Sequence, residues 1–100
     1  MEHFNKLSPP EDERLALLAE ECGELIQAIG KIQRHGYERY NPDNPKHQGN
    51  RVDLQNECGH VLAAMQLMMN SADISMVQVY QERNRKMEKL NLYLHHNQVR

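Results

Sequence analysis

The chain has 100 residues, 26% of them charged, a formal charge of −2, and few aromatics: one Phe, four Tyr and no Trp. That length makes one small domain, 1–100, with a limited core, so association between subunits is a natural way to complete it. The near balance of charge argues against a nucleic-acid polymer as partner. Residues 1–8 hold no apolar leader core, no stretch approaches the length of a membrane span, and two cysteines make no disulfide framework, so a reducing cytoplasm is the expected location.

After an N-terminal segment over 1–8, the first helix is predicted to begin at Ser8-Pro9-Pro10-Glu11. Ser8 suits the N-cap, Pro9 the first helical position, and Glu11 completes a capping box. Leu15, Leu18, Cys22, Leu25, Ile26 and Ile29 follow helical spacing and define an expected buried stripe. The helix should end near Arg34 or His35, with Gly36 as its terminating glycine. Residues 36–49 are rich in turn formers, with two Asn-Pro steps around Asp43, and read equally as an ordered loop or a flexible lid.

A second helix is expected from Asn50 to about Met69, with Leu54, Cys58, Val61, Leu62, Met65 and Met68 as its apolar stripe. Asn70-Ser71-Ala72-Asp73 punctuates the chain. A third helix is expected from about Ile74 to His95, with Val79, Tyr80, Met87, Leu90 and Leu94 inward and a charged outer face of Glu82, Arg83, Arg85, Lys86, Glu88 and Lys89. Residues 96–100 form a tail. No alternation or hairpin signal suggests a strand, so the fold class is all-α: an antiparallel bundle of about three main helices, completed by oligomerisation. Leu17, Ala28, Ala64 and Leu67 lie beside the main stripes and widen them, which points to a second buried face and a homodimer or homotetramer.

The tetrapeptide Glu21-Cys22-Gly23-Glu24 returns as Glu57-Cys58-Gly59-His60. Residues at i and i+3 share a helix face. If the two helices pack side by side, three carboxylates and an imidazole converge, and oxygen-rich clusters of that kind hold hard divalent cations such as Mg²⁺ or Mn²⁺. Glu20 adds a further acid to the same turn, and like charges this close repel unless something positive sits among them. Gly23 and Gly59 each cost about 1 kcal/mol against alanine inside a helix, which suggests close approach of backbone or ligand. The competing reading is that these glutamates are solvated residues of amphipathic helices. It accounts well for a single E-x-x-E and less well for two matched copies bordering apolar stripes.

In this order and spacing, the Glu-Glu-x-x-Glu of 20–24 and the Glu-x-x-His of 57–60 resemble the signature of the all-α nucleoside triphosphate pyrophosphohydrolases, the MazG-like superfamily. The spacer RHGYERYNPDNP and the C-terminal KMEKLNLYLHH are similar to those of some small members, so the resemblance spans roughly residues 15–96. It implies cleavage of a (deoxy)nucleoside triphosphate to the monophosphate and pyrophosphate, with Mg²⁺ or Mn²⁺ as cofactor. Carried over by position, Glu21, Glu24 and Glu57 match metal ligands, and Glu20 matches the first acid of the motif. Lys86 and Lys89, on one face of the third helix, are the leading candidates for the phosphate tail, with Arg83 and Arg51 behind them. An ordinary solvated helix face explains each lysine equally well.

His60 departs from the pattern, which has Asp there. Imidazole suits Mn²⁺, Co²⁺, Ni²⁺ or Zn²⁺ better than Mg²⁺. Three readings follow: an active enzyme with altered metal preference, a catalytically impaired one, or a nucleotide-binding protein without turnover. A helical interaction module is the alternative from another class, and it leaves the acidic turns unexplained. Cys58 and His60 point to different faces, so no zinc site is expected; Cys22 and Cys58 read as small core residues. No phosphate-binding glycine loop is present.

Overall fold

The computed structural model describes residues 5–39, 42–44 and 46–97. Met1–Phe4 of the N-terminal segment, Tyr40, Asn41 and Pro45 of the connecting segment, and Gln98–Arg100 of the tail lie outside the described residues. Three helices follow in order: α1 (Pro9–His35), α2 (Asn50–Asn70) and α3 (Met76–Lys89), the last running into a 3₁₀ turn over Leu90–Leu92. No strand occurs among the described residues, and the fold is all-α. The chain divides between Met68 and Met69 into two compact units.

In the first unit, α1 starts where the capping chemistry places it. Ser8 Oγ accepts from the Glu11 amide at 3.3 Å, and Glu11 Oε1 accepts from the Ser8 amide at 2.9 Å, so two orphan donors are satisfied reciprocally. Glu11 and Asp12 in the first turn and Arg34 and His35 in the last complement the helix dipole. The helix stops at Gly36, whose φ of 89° and ψ of 167° belong to glycine and whose amide donates to Ile32 O.

The start of α2 clamps the segment that follows α1. Asn50, buried, donates from Nδ2 to Gly36 O at 3.0 Å and from its amide to Arg39 O at 2.9 Å. The Arg51 amide donates to Tyr37 O, its Nε pairs with Glu38 at 2.7 Å, and its guanidinium lies 4.3 Å over the Tyr37 ring. His47 Nε2 meets Asp53 Oδ2 at 2.7 Å. Of the two sequence readings of 36–49, these bonds favour an ordered loop along its described residues.

Burial departs from the predicted stripes. The buried apolar residues among those described are Ala28, Ala64 and Met68. Leu15, Ile26, Ile29 and Leu62 are exposed, Ile26 by 67%, and so is Cys58. Leu18, Cys22, Leu25, Leu54, Val61 and Met65 are half-buried. Two of the three buried residues are alanines, and the larger Leu15, Ile26, Ile29 and Leu62 are left facing outward. An amphipathic pattern identifies the apolar face of a helix but not which neighbour covers it.

In the second unit, α3 is shorter than predicted at both ends. Ser75 caps it, accepting from the Gln78 amide at 3.3 Å, so Ile74 is left outside. Ala72, with φ of 63°, takes a left-handed conformation just before. At the far end, bonds from Tyr93 and Leu94 to Leu90 O tighten the chain into the 3₁₀ turn. Of the residues expected inward, Val79 and Leu90 are half-buried, whereas Tyr80, Met87 and Leu94 are exposed.

Gly36 provides a direct check on the α1 terminus. A Cβ there would meet nothing within 4 Å, so Gly36→Ala tests backbone strain alone. Denaturant unfolding should show a loss of about 1–3 kcal/mol; an unchanged midpoint would contradict the glycine-only geometry.

Candidate metal centre

Two helical turns build the candidate site, one from α1 and one from α2, both in the first unit. The helices run antiparallel here: Glu21 meets His60, with Oε2 and Nδ1 3.5 Å apart, while Glu24 hydrogen-bonds the Glu57 side chain. His60 Nδ1 also lies 3.4 Å from Glu57 Oε2, one turn away on its own helix. One potential ligand atom from each of Glu21, Glu24, Glu57 and His60 lies within 4.8 Å of all the others. Glu20 is outside this group, exposed on the neighbouring position of α1.

The depth of the four side chains differs. The side chains of Glu21 and Glu57 are 18% and 21% exposed, that of His60 55%. Glu21 Oε2 is buried without a hydrogen-bond partner, and an orphaned buried carboxylate oxygen is costly. The Glu24 carboxyl is held above the ordinary glutamate value of 4.5, first by the charge of Glu21, then by Glu57, by desolvation, by the hydrogen bond with Glu57 and by Glu20. Crowded carboxylates, one oxygen without a donor and an adjacent imidazole suit a divalent cation. Three oxygens and one nitrogen accommodate Mn²⁺ or Co²⁺ as well as Mg²⁺.

Beside the cluster, a groove of about 290 Å³ is lined by Glu24, Gln27, Ala28 and Lys31 of α1 and by Asp53 and Glu57 of α2. The sequence analysis did not single out Gln27, Lys31 or Asp53, which line this groove. The available signal was spacing: Glu24, Gln27 and Lys31 follow one helical face, and Asp53 stands four residues before Glu57. A second recess of about 380 Å³, at the start of α1, is lined by Asn5, Leu7, Ser8, Pro9, Asp12 and Glu13, apart from the candidate ligands.

Three of the four basic residues proposed from sequence, Arg51, Arg83 and Lys86, have other contacts. Arg51 is held by Glu38 and Tyr37. Arg83, Lys86 and Lys89 lie on α3, in the second unit. Arg83 stacks 4.7 Å over Tyr80 and donates to Asn84, and Lys86 lies 4.8 Å over Tyr93. Gly23 and Gly59 carry no close packing, since a Cβ on either would meet nothing within 4 Å. The expected close approach of backbone at these glycines is therefore absent within the described chain.

Comparison with known families adds one finding. The sequence model of the MazG nucleotide pyrophosphohydrolase domain matches residues 10–91. Neither a curated protein nor a solved structure matches the chain. The matched span contains both acidic turns.

The raised Glu24 pKa has a defined consequence. Folding tightens proton binding at this carboxyl, so the contribution favours the fold at low pH and is lost as pH rises from about 4.5 through the higher folded value. At neutral pH, Glu24→Gln should raise the melting temperature of metal-free protein while weakening the further rise produced by Mn²⁺. Thermal unfolding with and without Mn²⁺ measures both; a fall in metal-free stability, or an undiminished Mn²⁺ response, would contradict the geometry.

Proposed function

The chain belongs to the MazG nucleotide pyrophosphohydrolase family, and we propose that it hydrolyses a (deoxy)nucleoside triphosphate to the monophosphate and pyrophosphate at the Glu21–Glu24–Glu57–His60 cluster. The observation that carries this reading is the convergence of those four groups within 4.8 Å, inside the matched span. Glu21, Glu24, Glu57 and His60 hold a divalent ion, Mg²⁺ or Mn²⁺. Such an ion supplies positive charge to the phosphates and lowers the pKa of water.

The protein's own contributions follow from position. Glu21 and Glu57, the more buried carboxylates, fix the centre between the helices. Glu24 closes it on the groove side, where the substrate enters. Glu20, exposed beside the ligands and close enough to influence Glu24, accepts the proton of the attacking water. His60 sets the metal preference: a nitrogen in place of a carboxylate oxygen favours Mn²⁺ over Mg²⁺ and leaves the site one negative charge poorer.

The same reading includes association of copies into a homodimer or homotetramer. Among the described residues only three apolar side chains are buried, while Leu15, Ile26, Ile29, Leu62 and Leu67 face outward. Exposed large apolar side chains in this number suit an interface between copies. No described helix is long and apolar enough to cross a membrane, and the proposed setting is the cytoplasm. Light scattering should give a mass of two or four chains at micromolar concentration, and paired Ile26→Asp and Leu62→Asp changes should lower it; a monomeric wild type would overturn the association.

Pyrophosphate release from a nucleoside triphosphate mixture tests the reaction. Glu57→Gln should lower the rate by at least about 100-fold, the upper end of the effect expected for an outer partner of a metal. Wild type should work better with Mn²⁺ than with Mg²⁺, and His60→Asp should reverse that order. Full activity in Glu57→Gln would overturn the site. Tight nucleotide binding without turnover in wild type, with turnover gained in His60→Asp, would make the natural protein an impaired relative that sequesters nucleotide.

A further inference from the structure

A polyphosphate tail brings several negative charges to a place that already holds three carboxylates. One divalent ion cannot balance both, so the site needs a fixed cation where the tail lies. The sequence suggests Lys86, Lys89, Arg83 and Arg51. However, Arg51 is already paired with Glu38, Arg83 is held by Asn84 and Tyr80, and Lys86 lies over Tyr93. Within the first unit, the groove beside the metal cluster is lined by one cation, Lys31, together with Glu24, Gln27, Ala28, Asp53 and Glu57.

Helix geometry places Lys31 where the tail would run. It stands seven residues, two turns, beyond Glu24 on the same face of α1, a rise of about 10 Å. Helical side chains lean toward the N-terminus, and the lysine stem is long, so its ammonium can work back along the groove toward the metal ligands. Ala28, buried between them, adds no bulk on this face. No carboxylate among the described residues pairs with Lys31. Asp53 on the opposite wall is held by His47 at 2.7 Å, so that acid of the groove has a partner of its own.

We propose that Lys31 is the phosphate-binding cation of the site, holding the tail of the substrate in the groove that leads from the Glu24–Glu57 edge of the metal cluster. This rests on the reading of the cluster as a nucleoside triphosphate site. It assigns the recognition of the polyphosphate to α1 itself, in the same unit as the metal ligands.

The test uses the full chain and the preformed Mn²⁺–tripolyphosphate complex, which carries the tail chemistry without a base or sugar. Calorimetry should show wild type binding the complex, Lys31→Gln binding about tenfold more weakly, and Lys31→Arg remaining within about threefold of wild type, as loss or retention of one charge-assisted contact implies. The rise in melting temperature with Mn²⁺ alone should be the same in all three. Equal tripolyphosphate affinity in wild type and Lys31→Gln, with that rise intact, would overturn the role of Lys31 and leave the metal site standing. A Mn²⁺ response lost in Lys31→Gln would also overturn it, because the lysine would then be supporting the acid cluster. If wild type shows neither a Mn²⁺ response nor tripolyphosphate binding, the proposed function fails and this inference fails with it.

Discussion

Three carboxylates forced to one point between two helices form the constraint on which the rest of this structure depends. Like charges at that spacing oppose the pairing of α1 and α2, as the raised pKa of Glu24 records. The apolar material available to oppose them within the unit is thin: two alanines and one methionine are its buried apolar side chains among the described residues. The chain therefore maintains an unfavourable cluster on a weak core. Structure alone gives no stabilising reason for the arrangement, whereas a bound cation converts the repulsion into attraction at every ligand.

The surrounding features serve that centre. The capping box at Ser8 and the glycine stop at Gly36 define the ends of α1. The Asn50 clamp ties the start of α2 to the end of α1, which fixes where the two helices return past one another. That register brings Glu21 to His60 and Glu24 to Glu57. His47, held against Asp53, secures the loop to the groove wall. A shift of one residue along α2 would rotate the second acidic turn away from the first.

Much of this was legible in the residues themselves. Capping chemistry located α1, because Ser8, Pro9, Glu11 and Gly36 act through local bonds. The echo of Glu21-Cys22-Gly23-Glu24 in Glu57-Cys58-Gly59-His60 marked the turns that meet. Burial was less legible: Ile26 and Leu62 look like core by periodicity, yet they are exposed and Ala28 and Ala64 are buried. Lys31 stayed hidden for another reason. Its place beside the acidic cluster depends on the antiparallel register of α2, and nothing in its local sequence distinguishes it from any solvated lysine. The ends of α3 were misjudged because the Ser75 cap and the turn at Leu90 override the apolar pattern on either side.

His60 gives this chain its individual character within the MazG nucleotide pyrophosphohydrolase family. Its nitrogen is the one donor other than oxygen in the cluster, and therefore the one whose bond to a metal would have its own spectroscopic signature. Pulsed electron paramagnetic resonance on protein loaded with one Mn²⁺ per chain tests the central claim directly. The account predicts a ¹⁴N coupling from a directly bound imidazole, present in wild type and absent in His60→Asp, with Mn²⁺ retained in both. Mn²⁺ that binds without nitrogen coupling, or a coupling that survives His60→Asp, would contradict the four-residue centre.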